Sequence, residues 1–376
     1  MSMAERDETE LNDLGTAILM RLRYESLRAC FSNPSADSIV PILKKALRHH
    51  SSATALILRD SLGVRWGGDI DDAAMMVAFL FTNSTTPLKS GTVEMTSTGA
   101  RIWIDDCQDS LEGEEGCIYS REYLEGFVQT VCPESELCVL QRMAGGDKQC
   151  LFVLKERGTD IMEVLEDDTL ACVVPPFTME DGQWRTLIKG GLAEEFLIHM
   201  RALEEVLGPG DAIKVVRPFM QDAARKVLPK IQGALPSGSK NDAEAALALL
   251  NAALGQSGMS FIPGPGTIGS EIVQCPFKGA PVVACRAFEV FVDALCRALD
   301  PMAGFRYDSM MSSGAAKCRW SLRLVPKECV LEEKPLAVKG EPQEDPVRIL
   351  NLRLAKGEIA LADYRILLEI LKGTGK

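Results

Sequence analysis

Residues 104–154 read IDDCQDSLEGEEGCIYSREYLEGFVQTVCPESELCVLQRMAGGDKQCLFVL, and residues 272–322 read IVQCPFKGAPVVACRAFEVFVDALCRALDPMAGFRYDSMMSSGAAKCRWSL. Cys107, Cys117 and Cys150 of the first stretch recur in the second 168 positions later, as Cys275, Cys285 and Cys318. Other residues keep the same offset, among them the pairs Ile104 and Ile272, Met143 and Met311, Gly146 and Gly314, Phe152 and Trp320, and Leu154 and Leu322. A repeat that keeps three cysteines in register predicts a tandem duplication in which both copies share one fold.

Composition predicts an ordinary soluble globular protein. The chain has 376 residues, of which 46% are hydrophobic and 25% are charged, and this length allows two or three domains. The formal net charge of -12 argues against nucleic acid or an anionic membrane as a partner, because both bind clustered Lys and Arg. The sequence shows no apolar stretch of membrane-spanning length, and the acidic start MSMAERDETE does not resemble a signal peptide, so we expect a cytoplasmic protein.

Changes of pattern along the chain predict five segments. They are a first repeat at 11–157, a connector at 158–190, a second repeat at 191–327, a charged linker at 328–344 and a helical tail at 345–372. Each repeat has helices first, then strands, then a helix that carries the second cysteine, and finally a pair of strands. This order predicts an α+β fold, and we expect the two repeats to pair as a pseudo-dimer.

Local patterns make four further predictions. The apolar run Ala53–Leu58 is typical of a strand, and Gly208-Pro209-Gly210 is expected to end the helix that begins at Leu192. Spacing of apolar residues predicts a helix over Val282–Leu299. Residues 264–269 match the dinucleotide-binding fingerprint by their letters, but we expect a helix before them and a strand after them, the reverse of what that site needs.

The repeated cysteines are candidate functional residues. Cys117 and Cys285 open helices, where the helix dipole lowers the pKa of a thiol, so both are candidate thiolates. Converging thiolates suit zinc, yet the sequence has no CxxC pair and only three histidines. Three interpretations stay open: cysteines that pack a helix against a strand, a metal site, and a reactive thiol. The candidate cofactor-binding residues are Cys107, Cys117, Cys150, Cys275, Cys285 and Cys318.

The stretch from Cys117 to Phe152 resembles the end of a bacteriochlorophyll 4-vinyl-reductase-type domain. That family's pattern is a helix with an initial Cys and a Gly, a strand, a Gly-Asp turn, and a final Cys followed by an aromatic residue. Such domains are similar to small-molecule sensor modules that hold zinc with a helix cysteine, an acid and two strand-end cysteines. Here Arg142 stands at the position of the penultimate cysteine and Val139 at that of the acid. The resemblance implies zinc, or iron, at Cys117, Cys150, Cys285 and Cys318.

The second repeat also resembles aminothiazoline-carboxylate hydrolase-like proteins. The resemblance rests on Cys275-Pro276, Ser313-Gly314 and the run Lys317-Cys318-Arg319-Trp320. It implies a cysteine-dependent hydrolase of a cyclic amidine or thiazoline-like substrate, with Cys275 or Cys285 as nucleophile. His199 is the one histidine of this repeat, and we interpret it as an ordinary residue of an amphipathic helix.

The tail at 345–372 resembles the short C-terminal module called SHOCT. Asp345-Pro346 begins the module, Lys356-Gly357-Glu358-Ile359 marks a turn, and Tyr364 lies in its second predicted helix. The resemblance implies a helical hairpin that serves self-association or docking to a protein partner.

Aromatic residues form a stripe on each cysteine-bearing helix. They are Tyr119, Tyr123 and Phe127 in the first repeat and Phe288 and Phe291 in the second. Such stripes are usually core, but in a vinyl-reductase-type fold this core borders a ligand pocket. Our leading hypothesis is a non-catalytic protein that binds a small hydrophobic or aromatic molecule in sensing, delivery or assembly. The alternatives are the cysteine-dependent hydrolase and a structural scaffold without a ligand.

Overall fold

The computed structural model describes residues 8–81, 88–107, 114–175, 178–236, 238, 242–255, 260–264, 267–272, 277, 279–315 and 317–324. We call residues up to 175 the first half and residues 178–324 the second half. The predicted linker at 328–344, the predicted hairpin at 345–372 and Cys275 lie outside the described residues.

Helices and two antiparallel sheets make up the described residues, which confirms the α+β class. The helices are α1 Glu8–Phe31, α2 Ala36–Leu62, α3 Ile70–Phe81, α4 Glu114–Val131, α5 Ile161–Glu166, α6 Asp181–Ala234, α7 Ala243–Ala253 and α8 Val282–Leu299. The strands are β1 Leu88–Met95, β2 Gly99–Cys107, β3 Ser135–Gln141, β4 Cys150–Glu156, β5 Ala171–Cys172, β6 Ser260–Gly264, β7 Thr267–Ile272, β8 Ala303–Ser309 and β9 Cys318–Leu324. Among the described helices none is both long and apolar enough to cross a bilayer.

Each half builds one sheet. The first sheet has the order β3-β4-β2-β1-β5 and the second the order β6-β7-β9-β8. Alternating residues of β2 and β4 point to one face, and Ile102 and Leu154 are buried there in one cluster with Phe127 of α4. A second cluster joins α1, α6, α7 and α8 to the second sheet. Ile188 of α6 packs against both clusters.

The closing elements of the second half repeat those of the first at the offset seen in the cysteines. Shifted by 168 positions, the bounds of α4, β3 and β4 become those of α8, β8 and β9. Strand register repeats as well, because Gly99 pairs with Lys155 in the first sheet and Thr267 pairs with Arg323 in the second. An irregularity after Val139 recurs after Tyr307. The two sheets therefore share the pairing of their strands as well as the order of their elements.

The predicted strand at Ala53–Leu58 is wrong, since these residues belong to α2. A short apolar run does not by itself distinguish a strand from a buried helix turn. The preceding residues decide between them, because a buried stripe at helical spacing continues through the run. Its members are Ile39, Leu43, Leu47, Ser51, Ala55 and Leu58.

The predicted helix end at Gly208-Pro209-Gly210 is confirmed, because α6 consists of two helical segments joined across a kink at this point. Gly208 has φ 74° and ψ 161°, which are not helical angles, and the second segment runs from there to Ala234. Glycine adopts this positive φ without strain, and Pro209 fits the first turn of the following helical segment. The structure also adds α5, β5 and the start of α6 to the region 158–190, where the sequence predicts only a connector.

The segment that matches the dinucleotide-binding fingerprint, residues 264–269, lies where two antiparallel strands connect. Strand β6 precedes it, whereas the sequence predicts a helix there, and β7 follows as expected and pairs with β6 antiparallel. A phosphate-binding fingerprint needs a helix after the glycines. The sequence-based rejection of a dinucleotide site therefore holds. The strand that follows the glycines excludes the site as expected, whereas the element before them is a strand and not the predicted helix.

Candidate functional site

A cavity of about 510 Å³ lies between the helices of the first half and the first turns of α6. Its volume falls in the range that holds a small organic ligand. The walls come from five helices, α1, α2, α3, α4 and α6, so both halves contribute. The lining residues are Arg23, His50, Thr54, Ile57, Leu58, Leu80, Tyr119, Ser120, Tyr123, Leu124, Trp184, Thr186, Leu187, Ile188, Gly190, Gly191, Leu192, Glu194 and Glu195.

Two adjacent glycines in α6 help to create the space. Gly190 and Gly191 lie in the helix and line the cavity. A Cβ atom on Gly190 would meet nothing within 4 Å, and one on Gly191 would meet only Nε2 of His50, at 3.9 Å. A glycine inside a helix costs about 1 kcal/mol relative to alanine, so this pair lowers helix stability while it leaves room beside α2.

Most of the cavity wall is apolar and part of it reaches the surface. Leu58 of α2, Leu124 of α4 and Leu192 of α6 are buried. Ile57 is 50% exposed, which is unusual for a large aliphatic side chain, and it marks the rim. Gly190 is exposed too. A ligand would therefore bury apolar surface inside and enter between α2 and α6.

An ion pair forms the polar end of the cavity. Arg23 of α1 and Glu195 of α6 are 2% and 8% exposed, and Nε of Arg23 donates a hydrogen bond to Oε2 of Glu195. The guanidinium carbon of Arg23 lies 4.3 Å from the ring centroid of Tyr119. Two buried charges are tolerated when they pair closely, so this end of the cavity is polar without a net charge.

His199 lies behind this ion pair and is fully buried. Its Nδ1 is 2.7 Å from the Ser26 hydroxyl, which donates to the carbonyl oxygen of Arg23 at 2.8 Å. When the Ser26 hydroxyl donates to this carbonyl, Nδ1 of His199 is the donor of the bond between the two side chains; the other tautomer reverses these roles. Burial first, and then nearby Arg23, lowers the pKa of His199 to about 3. The sequence interpretation allowed a surface or a core position for His199, and the structure places it in the core.

Two lining side chains carry a buried polar atom that has no hydrogen-bond partner among the described residues. These atoms are Nε2 of His50 and Nε1 of Trp184. The hydroxyl of Tyr119, by contrast, interacts with Glu195 and Arg23; burial, and then the charge of Glu195, raises the pKa of Tyr119 well above its usual value, so the hydroxyl is neutral. Leaving a polar group buried and unpaired costs about 1–3 kcal/mol. Two such groups around one cavity indicate a place where a ligand or water completes the hydrogen bonding.

The structure brings two of the five predicted pocket residues to the cavity. Tyr119 and Tyr123 line it, and Phe127 is buried behind Tyr123, with ring centroids 6.5 Å apart. Phe288 and Phe291 lie in the core of the second half, with their ring centroids 5.8 Å apart.

The corresponding positions of the second half are filled. The offset of 168 pairs Ser120 with Phe288 and Tyr123 with Phe291. Phe288 also contacts Phe277, with ring centroids 5.2 Å apart. Aromatic rings thus occupy the α8 positions that correspond to the cavity face of α4. The two halves therefore differ at the positions that border the cavity.

The predicted cysteines have mainly structural surroundings. The Sγ atoms of Cys150 and Cys318 each accept a hydrogen bond of 3.3 Å from a backbone amide, that of Met143 and that of Met311. These bonds hold the short 3₁₀ turns before β4 and β9. Burial raises the pKa of both Cys150 and Cys285. The predicted lowering at the helix start is therefore wrong for Cys285, because desolvation outweighs the dipole. Cys107, at the end of β2, is buried as well.

The described residues supply no ligand set for a metal ion. No group of three or more His, Cys, Asp or Glu side chains is suitably clustered among them. The predicted ligands Cys117 and Cys150, and likewise Cys285 and Cys318, thus lack a complete described set around them. Zinc or iron at these cysteines stays a prediction, and Cys275 lies outside the described residues.

Comparisons of the chain with protein-family models, curated proteins and solved structures found no match. The resemblances to vinyl-reductase-type, hydrolase-like and SHOCT modules therefore stay predictions. The function has to be argued from the cavity.

Proposed function

We propose that this protein binds a small hydrophobic or aromatic molecule without transforming it, in sensing, delivery or assembly. The cavity of about 510 Å³ is the observation that carries the proposal. Its largely apolar wall gives affinity through burial of ligand surface, and its few polar groups orient the ligand.

The surroundings of the thiols favour binding over cysteine chemistry. No cysteine is among the described residues that line the cavity. Cys285, a candidate nucleophile, lies in the core of the second half with a raised pKa. A nucleophilic cysteine needs a lowered pKa and access to substrate.

We also propose that the chain arose by tandem duplication and that the copies then diverged. The repeated element bounds and strand register support a common origin. In this account the halves form a pseudo-dimer of vinyl-reductase-type domains. The ligand site lies beside α4 of the first half, while Phe288 and Phe291 of α8 make the corresponding region of the second half part of the core. The predicted C-terminal hairpin would serve docking or self-association.

The fluorescent probe Prodan, a neutral naphthalene ketone, tests the proposal. We expect wild-type protein to bind it with a blue-shifted emission, because the probe leaves water. Ser120→Phe places on α4 the side chain that Phe288 places on α8, and it should weaken binding at least ten-fold. Ser120→Ala removes the hydroxyl without filling space and should bind as wild type does. Equal binding by Ser120→Phe and wild type would contradict the assignment of the cavity.

A further inference from the structure

We infer that the cavity selects a neutral, mainly apolar molecule that carries one hydrogen-bond acceptor, such as an aryl ketone or ester, and that each chain binds one such molecule. This inference rests on the proposed function and adds the chemical class of the ligand. It follows from the ion pairs at the wall, from one indole N–H and from the difference between the halves.

The charges at the wall favour a neutral ligand. Arg23 is paired with Glu195 inside the cavity, and Glu194 is paired with Arg201, at 2.6 Å. Arg23, Glu194 and Glu195 are the charged residues among the lining residues described, and Arg201 lies outside the lining. A carboxylate or ammonium ligand would enter without a counterion or would have to break a buried ion pair, and both are costly. A neutral ligand leaves the two pairs intact.

The indole N–H of Trp184 favours a ligand with an acceptor. Trp184 lies in the first turn of α6, is 1% exposed and packs edge-on against Phe79, with ring centroids 5.4 Å apart. Its Nε1 has no hydrogen-bond partner among the described residues. An indole nitrogen only donates, so a hydrogen-bond acceptor is the group that satisfies it. A carbonyl or ether oxygen on an apolar ligand provides that acceptor.

The difference between the halves favours one site per chain. Arg23 corresponds to Gly191 and Ser120 corresponds to Phe288 at the offset of 168. Arg23 and the open α4 face are therefore features of the first half. The side chains at the matching α8 positions are buried against other phenylalanines.

Four naphthalenes with one shared body test the class of ligand. They are 2-acetylnaphthalene, its hydrocarbon isostere 2-isopropenylnaphthalene, 2-naphthoate and 2-naphthylmethylammonium, titrated into the full chain by calorimetry. We expect the ketone to bind with a stoichiometry of one. It should bind roughly three- to ten-fold tighter than the hydrocarbon, which corresponds to one net hydrogen bond. Both charged probes should bind more weakly than the hydrocarbon.

Two matched tryptophan variants assign the donor. Trp184→Phe should bring the ratio of ketone to hydrocarbon affinity close to one, whatever change the smaller ring makes to both affinities. Trp66→Phe is the control, because Nε1 of Trp66 is also buried without a described partner but Trp66 does not line the cavity. This variant should keep the wild-type ratio.

The possible outcomes separate the inference from the proposed function. Tightest binding by naphthoate or the ammonium probe would overturn the inference and leave the binding function standing. Equal binding of ketone and hydrocarbon, or a ratio unaffected by Trp184→Phe, would overturn the acceptor assignment. Two molecules per chain would overturn the single site. Failure of all four probes to bind the folded protein would contradict both the inference and the proposed function.

Discussion

Acidification should destabilise this protein through one histidine. The pKa of His199 is lowered to about 3 in the folded chain, because the ring is buried and Arg23 is nearby. In the unfolded chain a histidine has a pKa near 6.5. Since the folded pKa is the lower one, the unfolded chain binds the proton more readily. The stability that depends on neutral His199 is complete above about pH 6.5 and is lost as the pH falls toward 3.

The size of this effect follows from the difference between the two pKa values. At pH 5 the unfolded state gains about 2 kcal/mol from protonation of this one side chain, and at pH 7.5 it gains almost nothing. The groups around the ring are Arg23 and Ser26 of α1 and Tyr119 of α4. None of these three loses or gains a charge in this interval, so the difference belongs to His199.

Urea unfolding at pH 7.5 and pH 5.0 measures the effect. Wild type should lose about 2 kcal/mol more of its unfolding free energy than His199→Gln, whose amide still donates to Ser26 but does not titrate. His49→Gln, which changes an exposed histidine of α2, should behave as wild type does. Parallel pH dependence of wild type and His199→Gln would refute the account of a buried neutral ring.

Three further predictions concern the cavity and the repeated turns. Arg23→Leu should cost about 3–5 kcal/mol of unfolding free energy because it leaves Glu195 buried without its partner, and adding Glu195→Leu should recover most of it; urea curves that show no recovery would exclude the ion pair as the cause. Gly190→Ala should raise the unfolding free energy by about 0.5–1 kcal/mol without weakening probe binding, since the new methyl group meets nothing within 4 Å; a loss of stability would show that the position is crowded. Cys150→Ala and Cys318→Ala should each cost about 1 kcal/mol, with the serine variants closer to wild type, because each thiol accepts one backbone hydrogen bond; unequal costs would argue against equivalent roles in the two halves.

The sequence predicts the regular parts of the fold well. Helix α8 has the predicted bounds Val282–Leu299, because its apolar residues repeat at helical spacing over eighteen positions. Ala53–Leu58 was predicted as a strand because six apolar or small residues do not show a period. The helix end predicted at Gly208 is confirmed, since its φ of 74° and ψ of 161° separate the two helical segments of α6.

The candidate site was only half predictable. The stripe on α4 pointed to Tyr119 and Tyr123, both of which line the cavity. Arg23 and Glu195 are 172 positions apart, and no local pattern shows that α1 and α6 bring them together. Two signals in the sequence mark the place nonetheless. One is the glycine pair inside α6, and the other is Ser120 where the repeat has Phe288.

The location of a bound ligand tests the central claim most directly. A crystal of the full chain grown with 6-bromo-2-acetylnaphthalene would show the bromine by anomalous scattering. We predict one peak per chain, between Tyr123 of α4 and Trp184 of α6, with the ketone oxygen within hydrogen-bond distance of Nε1 of Trp184. A peak elsewhere, or side chains that fill the cavity in the presence of the compound, would contradict the claim that this cavity is a ligand site.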